Sequence, residues 1–370
     1  MLNPRENRVL QVTSMRRTAA LKKTAFEKKG FNGYLVFNSA NLLYFTGFPG
    51  ASALLTPRDG ESVIYVYGVN YEQAKAEGKG FRVDLVKRDE NLMAKIARQA
   101  DDYEIRKLAL DGLGVESWRS LTKEVKGKTV LSLKPSFVSE LRIVKDEVEI
   151  ELMRRAAELT NDGMKTAYEV VSPGMKEYEV AAEVEYAMRK RGSYGTAFDT
   201  AVSSGPSSAF PHGGCSDRAI RAGDLVVVDF GAVYKNYRSD MTRTLVAGKP
   251  SEKQKKLFEI VKVAQQQAFE AIRAKAKACD VDGVARRIIQ DAGYGEFFVH
   301  GLGHGVGLEI HEPPVLNSSS KDVLTSGNVV TDEPGIYLPG YGGVRIEDTV
   351  LVQEYGAEKL TKGPYSLVSE

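Results

Sequence analysis

The sequence predicts an α/β domain followed by a larger α+β domain, and three observations lead there. At 370 residues the chain is too long for one typical core. Helix and short-strand signals alternate through its first part. From residue 144 onward, long amphipathic helices are segregated from strand-rich blocks with hairpin signals. The domains are therefore drawn as residues 1–143 and 144–370.

In the first domain, residues 15–29 read as a helix ending at Gly30, with Leu21, Ala25 and Phe26 on its buried side. Strand candidates follow at 34–37, 52–55, 63–67, 83–86, 107–110 and 130–133. Polar or glycine-containing segments such as Pro57-Arg58-Asp59-Gly60 punctuate them. No constellation of chemistry-bearing residues is found here; its Tyr, Asn and Trp residues read as packing and surface.

The second domain opens on Asp146 and Glu149, spaced as a capping box. Helical periodicity then runs through Leu152, Ala156 and Leu159 towards Val171, and Pro173-Gly174 breaks it. A second helix carries Val180, Val184 and Met188 and stops at Gly192. Two more helices are indicated by Leu257, Ile260, Val261, Ala264 and Ala268, and by Val284, Ile288, Ile289 and Ala292. Strand-rich blocks are expected at 195–212, 225–246 and 328–352. No short repeat appears, which excludes a solenoid.

Composition narrows the function. The chain is 42% hydrophobic and 27% charged, as ordinary globular proteins are. Its 51 basic and 49 acidic residues give a net charge of +2, so no broad basic field for nucleic acid is expected. Two cysteines, Cys215 and Cys279, cannot form a disulfide framework. The polar start, residues 1–11, lacks the apolar core of a signal peptide, and no uninterrupted apolar run could span a bilayer. A cytoplasmic protein that binds neither nucleic acid nor membrane is expected.

All four histidines, His212, His300, His304 and His311, fall in the second domain, three of them within HGLGHGVGLEIH. Imidazole is the commonest metal ligand and acid–base side chain. The segment LVVVDFGAVYKNYRSDMTRTLV reads as a hairpin. If its turn is centred between Tyr234 and Lys235, Asp229 and Asp240 stand opposite each other with Cβ atoms about 5 Å apart. Two carboxylates that close to an apolar run need a compensating cation. Arg238 or Arg243 could neutralise one of them but serves poorly for both, and Arg243 alternates to the other side of the strand from Asp240.

A second hairpin, VVTDEPGIYL with VRIEDTVLV, places Glu333 and Glu347 equidistant from Gly340. Asp332 and Asp348 then point to the opposite faces and are discounted as ligands. Four carboxylates and a glycine-flanked His304 form a hard, anionic ligand set. It suits two divalent ions about 3.5–4 Å apart with a shared water or hydroxide. There is no Cys-x-x-Cys for structural zinc and no phosphate loop.

Through FDTAVSSGPSSAFPHG, VVDFGAVYKNYRSDMTRT, HGLGHGVGLEIHE, VVTDEPGIY and GGVRIEDTVLV, residues 145–352 resemble the pita-bread metallopeptidases (family M24). That family includes Xaa-Pro dipeptidases (prolidases), Xaa-Pro aminopeptidases and methionine aminopeptidases. The first domain resembles the creatinase-like N-terminal domain of the first two. The resemblance implies a pita-bread catalytic domain in which Asp229, Asp240, His304, Glu333 and Glu347 hold two metal ions. Mn or Co would serve, with Zn also compatible, and Asp240 and Glu347 would bridge the ions. It further implies that Glu333 shuttles a proton and that His311 contacts the scissile carbonyl or its oxyanion. His212 would lie near substrate, and His300 and Arg345 would belong to the substrate-binding surroundings. A homodimer acting on proline-containing peptides is expected.

Three positions depart from the family pattern. Asn236 occupies a turn glycine's place, a benign change because Asn tolerates positive φ. Asp332 replaces an aliphatic residue. Val315 stands where many prolidases carry an Arg for the dipeptide carboxylate, and no cation follows until Lys321. Three classes compete: an Xaa-Pro exopeptidase (dipeptidase, or aminopeptidase on longer peptides), a creatinase-like enzyme, and a non-catalytic binding module. The last two lose metal ligands in this family, and this chain keeps all five.

Overall fold

The computed structural model describes residues 15–368. The polar stretch 1–11, on which the signal-peptide reading rested, lies outside them. The chain divides into two compact units after Arg142.

In the first unit, helix α1 (residues 15–22) continues as a π-helical turn, Lys23–Lys28. It buries Leu21, Ala25 and Phe26, as the periodicity expects. Six strands form one mixed sheet: β1 (Gly33–Val36), β2 (Ala53–Pro57), β3 (Val63–Tyr67), β4 (Arg82–Val86), β5 (Lys107–Leu110) and β6 (Val130–Leu133). Each lies within two residues of its expected span. Their order is β4-β3-β2-β1-β5-β6. The pairs β1–β2 and β2–β3 are antiparallel, whereas β3–β4, β1–β5 and β5–β6 are parallel. Parallel neighbours need crossovers. Of the helices α2 (Ser39–Thr46), α3 (Gly68–Glu77), α4 (Leu92–Asp102), α5 (Val115–Glu124) and α6 (Ser136–Arg142), α3 links β3 to β4 and α5 links β5 to β6.

The second unit is built twice over from a helix pair followed by strands. Helices α7 (Glu147–Val170) and α8 (Glu177–Lys190) precede β7 (Gly195–Thr196), β8 (Ala201–Ser204), β9 (Leu225–Phe230), β10 (Ala232–Tyr234), β11 (Tyr237–Arg238) and β12 (Met241–Val246). Helices α9 (Glu252–Ala271) and α10 (Ala278–Asp291) precede β13 (Gly303–Gly305), β14 (Glu312–Leu316), β15 (Val329–Asp332), β16 (Gly335–Leu338), β17 (Gly342–Arg345), β18 (Asp348–Gln353) and β19 (Gly356–Lys359). Each helix pair lays its apolar stripe on its own strands. Met164, Val180, Val184 and Met188 pack with Val226, Val228 and Phe230. Leu257, Phe258, Val261 and Ile289 pack with Val330, Val350 and Val352. Fully burying a side chain of this size contributes about 1.5–3 kcal/mol. Among the described residues no helix is long and apolar enough to cross a membrane, and both cysteines are free.

The capping box is present. Asp146 Oδ1 accepts from Glu149 N, and Glu149 Oε2 accepts from Asp146 N, both at 3.0 Å. Asp146→Ala is expected to lower stability by about 1 kcal/mol, read from the urea midpoint of the transition that includes α7.

Two expectations need correction. Asp229 does not oppose Asp240: the β9–β12 ladder pairs Asp229 with Thr242 and Phe230 with Met241. The turn falls on Lys235 and Asn236, with φ of 45° and 72°, one residue later than expected. Asn236 takes the left-handed conformation cheaply, while Tyr234 stays extended with its ring against Tyr194. The two aspartates are diagonal neighbours on one face instead. Second, strands β13, β14 and β19 lie outside the expected strand blocks, and 205–209 is a 3-10 turn within one of them. The glycines of HGLGHGVG and the prolines of β14 hide the alternation that marks a strand. The second hairpin keeps its expected register: Gly335 pairs with Arg345 and Asp332 with Asp348.

Candidate metal centre

Both hairpins aim their carboxylates into one cavity of about 540 Å³ in the second unit. Asp229 is near the end of β9, where the chain turns from one sheet into another. A Cβ on Gly231 would lie 1.8 Å from Ser239 O, so only glycine permits that crossing. Asp240 sits just before β12, its N–H donating to Thr349 Oγ1 (2.9 Å) and its C=O accepting from the same hydroxyl (2.8 Å). Glu333 and Glu347 occupy the gap between the β15–β18 and β16–β17 ladders. There Glu333 N donates to Leu302 O (2.8 Å) and Glu347 N to Thr242 O (3.1 Å). Thr331 Oγ1 donates to Glu333 Oε1 (3.1 Å), and Thr242 Oγ1 donates to Glu347 Oε2.

His304 is presented by β13, its N–H donating to Thr331 Oγ1 at 3.0 Å. Its Nδ1 lies 3.1 Å from Gly305 O. That contact assigns the proton to Nδ1 and leaves the Nε2 lone pair facing Glu333 Oε1 (3.4 Å) and Asp240 Oδ2 (3.8 Å). Ligand atoms of Asp240, His304 and Glu347 lie within 4.8 Å of one another.

The electrostatics are those of a site short of positive charge. Burial holds the Asp240 carboxyl well above the usual range, and Asp229 and Glu333 push it the same way. Glu347 is likewise raised by burial and by Asp240, and burial also raises Glu333. Asp229 Oδ1 and Asp240 Oδ1 are buried without a hydrogen-bond partner. Buried carboxylate oxygens with no donor, grouped around an imidazole lone pair, fit divalent cations.

One cation compensates in part. Arg345 Nη2 donates to Asp229 Oδ2 at 2.6 Å, and its Nε and Nη1 donate to Thr242 Oγ1, Tyr337 Oη (both 3.0 Å) and Pro211 O (3.2 Å). Burial pushes the Tyr337 phenol up to about 12, so it stays protonated and donates to His300 Nε2 at 2.8 Å. His300 Nδ1 in turn donates to Gly301 O at 2.7 Å. A continuous chain thus runs from His300 through Tyr337 and Arg345 to Asp229. His311 stacks edge-on against His304, with centroids 4.2 Å apart. Chiefly through burial, both rings are held below the ordinary imidazole value.

The structure brings all of the sequence-selected residues, His212, His300, His311 and Arg345 with the five candidate ligands, onto this one cavity. Sequence reasoning missed Thr242, Thr331, Thr349 and Tyr337, which orient them. The threonines had a signal: Thr242, Thr331 and Thr349 each stand two residues from a candidate ligand, Asp240, Glu333 and Glu347, and so on the same face of the strand. Tyr337 had no signal beyond a strand tyrosine. Asp332 and Asp348 point away, as expected. Asp348 binds Arg243 at 2.9 Å, while both Asp332 oxygens are buried without a partner and burial holds its carboxyl well above the usual range.

Comparison with known proteins agrees with this geometry. Residues 151–354 match the metallopeptidase family M24 model, and residues 17–144 match the creatinase/prolidase N-terminal domain. The chain is 42% identical over 343 residues to an Xaa-Pro dipeptidase of Pyrococcus furiosus, covering 91% of this chain and 95% of the other. The Xaa-Pro dipeptidase structure from Bacillus anthracis superposes with a TM-score of 0.91 at 36% identity, covering 96% and 99%. An X-Pro aminopeptidase from Thermotoga maritima superposes at 0.85 with 37% identity, covering 92% and 98%. With an M24 model matched across its candidate metal centre and a creatinase/prolidase domain before it, the chain belongs to metallopeptidase family M24.

Proposed function

We propose that the chain is an exopeptidase that requires two divalent metal ions and hydrolyses Xaa-Pro dipeptides. The observation that carries this reading is the convergence of four carboxylates and one oriented imidazole on a single cavity. Similarity to proteins named Xaa-Pro dipeptidase supports the substrate class. Mn or Co is the proposed metal, with Zn a compatible third, held by Asp229, Asp240, His304, Glu333 and Glu347. When bound, the ions supply a Lewis acid for the scissile carbonyl and lower the pKa of water.

The protein's own groups do the rest. Glu333, whose carboxyl burial pushes up, takes a proton at Oε and returns it to the leaving prolyl nitrogen. A neutral His311 donates its N–H to the carbonyl oxygen as negative charge develops there. Arg345 holds Asp229 in place, and the chain through Tyr337 fixes the His300 tautomer beside the substrate. His212, exposed on the loop after the 3-10 turn, lines the same cavity and contacts the substrate there. The first unit, ending near residue 143, is proposed to mediate a homodimer. Two unpaired cysteines support a cytoplasmic location.

A second reading, an Xaa-Pro aminopeptidase acting on longer peptides, is favoured by one observation. Among the described cavity-lining residues Arg345 is the sole Arg or Lys, and its guanidinium is already engaged. Val315 and Asn317 form the nearby wall. The test is hydrolysis of Ala-Pro beside Ala-Pro-Ala by metal-stripped enzyme refilled with Mn or Co. Preference for the dipeptide supports the first reading and preference for the tripeptide the second. Cleavage of neither with any metal would sink both.

A further inference from the structure

We infer that Glu177, remote in sequence from every metal ligand, is a positioning residue that latches the substrate-facing loop 205–215 in its working shape. Glu177 is the first residue of α8 and is 1% exposed. Its carboxylate accepts four hydrogen bonds. Oε1 takes Ser204 N (2.7 Å) and Ser204 Oγ (2.6 Å); Oε2 takes Ser216 N (3.0 Å) and Ser216 Oγ (2.6 Å). Ser204 ends β8 and Ser216 follows the loop, so one carboxylate ties the two ends of the loop together. Arg218 closes the knot by donating to Ser204 Oγ and to Asp224 Oδ2, the latter at 2.6 Å.

What emerges from the knot is the cavity wall made by Pro211, His212 and Gly214. The loop is packed with little slack. A Cβ on Gly213 would meet Ser203 Oγ at 2.4 Å, and that hydroxyl donates to Gly214 O at 3.0 Å. Pro211 O accepts from Arg345, and Ser208 Oγ accepts from Gly343 N at 2.9 Å. A shift at the latch is therefore carried to His212 and to the Arg345 side of the metal centre together.

The surrounding fold does not depend on this carboxylate. Glu177 N donates to Arg218 O, Ile220 N to Met175 O and Gly174 N to Ile220 O, all through main chain. The apolar side of α8 stays buried through Val180, Val184 and Met188. Glu177→Gln keeps one acceptor oxygen for Ser204. It presents an N–H₂ to Ser216 N–H, which leaves that donor without a partner.

The inference rests on the proposed reading of His212 as a substrate-facing group, and the test separates the two. In metal-loaded enzyme, E177Q is expected to lower kcat/KM for Ala-Pro about 10-fold with a thermal midpoint close to that of the parent. Added to His212→Ala, it should cost clearly less than a further 10-fold, because part of the latch's action passes through His212. Independently of any activity, amide hydrogen exchange across 206–214 should quicken about 10-fold. Ser216→Ala, which removes one donor from an exposed position, should show the same pattern more weakly and carries the test if E177Q folds poorly. Unchanged exchange overturns the latch, as do fully multiplicative effects of E177Q and H212A. If the unmodified, metal-loaded enzyme cleaves no Xaa-Pro peptide, the proposed function fails while the exchange measurement still judges the latch.

Discussion

Glu333→Gln is expected to lower kcat for Ala-Pro by about 10²–10⁴-fold, the range that general acid–base catalysis contributes. The substitution is nearly isosteric. Gln keeps an oxygen to accept from Thr331 Oγ1 and to face the cluster beside His304 Nε2, and its main-chain bond to Leu302 O is untouched. What it loses is the ability to carry a proton. In the metal-free protein burial raises its carboxyl above the ordinary glutamate value. Because Glu333 is also a proposed metal ligand, metal content must be measured on the same sample by mass spectrometry. A folded variant with full metal content and near-normal kcat would sink the proton-shuttle role. A variant that binds no metal would place Glu333 among the ligands instead, and activity at saturating metal would then separate the two roles.

Metal removal should have the second large effect, on turnover and on stability together. Chelation is expected to abolish hydrolysis and to lower the thermal midpoint by roughly 5–10 °C, as follows for a ligand present at about 100 Kd, worth about 2.7 kcal/mol. The stability effect has a definite pH dependence. In the metal-free protein the Asp240, Glu333 and Glu347 carboxyls are all held above their ordinary values, first by burial. A carboxyl raised in the folded state contributes stability at low pH and loses it as pH rises through the folded-state value. The metal-free fold should therefore weaken from the ordinary carboxylate range upward. Bound cations replace the protons and relieve that loss. The difference in thermal midpoint between loaded and stripped protein, measured by calorimetry, should grow from pH 5 to pH 8. A difference that is equal or larger at pH 5 would contradict the cluster as described.

Much of this could be read from the chain because its signals are local. The six short strands of the first unit are bounded by glycine, proline and charged residues, and apolar spacing marks α7 to α10 directly. The Glu333–Glu347 register was legible because Pro339-Gly340 fixes the hairpin centre and the strands run unbroken on either side. The Asp229–Asp240 register was not. Its turn lies between residues that all look possible, and the choice is made by the tertiary crossing at Gly231 and the ring of Tyr234. The cavity was legible as a ligand set and opaque as a network. That Arg345 reaches Asp229 and shares Tyr337 with His300 depends on β9, β16 and β17 meeting in space, which no spacing in the chain encodes. Asp332 shows a converse limit: the sequence flags it as odd, and the structure buries both its oxygens without supplying an explanation.

The division of the ligands between the two halves of the catalytic unit has a wider consequence. Asp229 and Asp240 belong to the half built on α7 and α8, whereas His304, Glu333 and Glu347 belong to the half built on α9 and α10. The halves are stitched across the centre by Asp240 with Thr349 and by Thr242 with Glu347 and Arg345. Neither half owns a complete coordination sphere. Metal held by these five residues would be a clasp at a seam, and any motion that parts the two halves would open the clasp. Loosening of either half would then be felt as weaker metal retention, and catalytic competence would become a report on whether the two halves are fully closed.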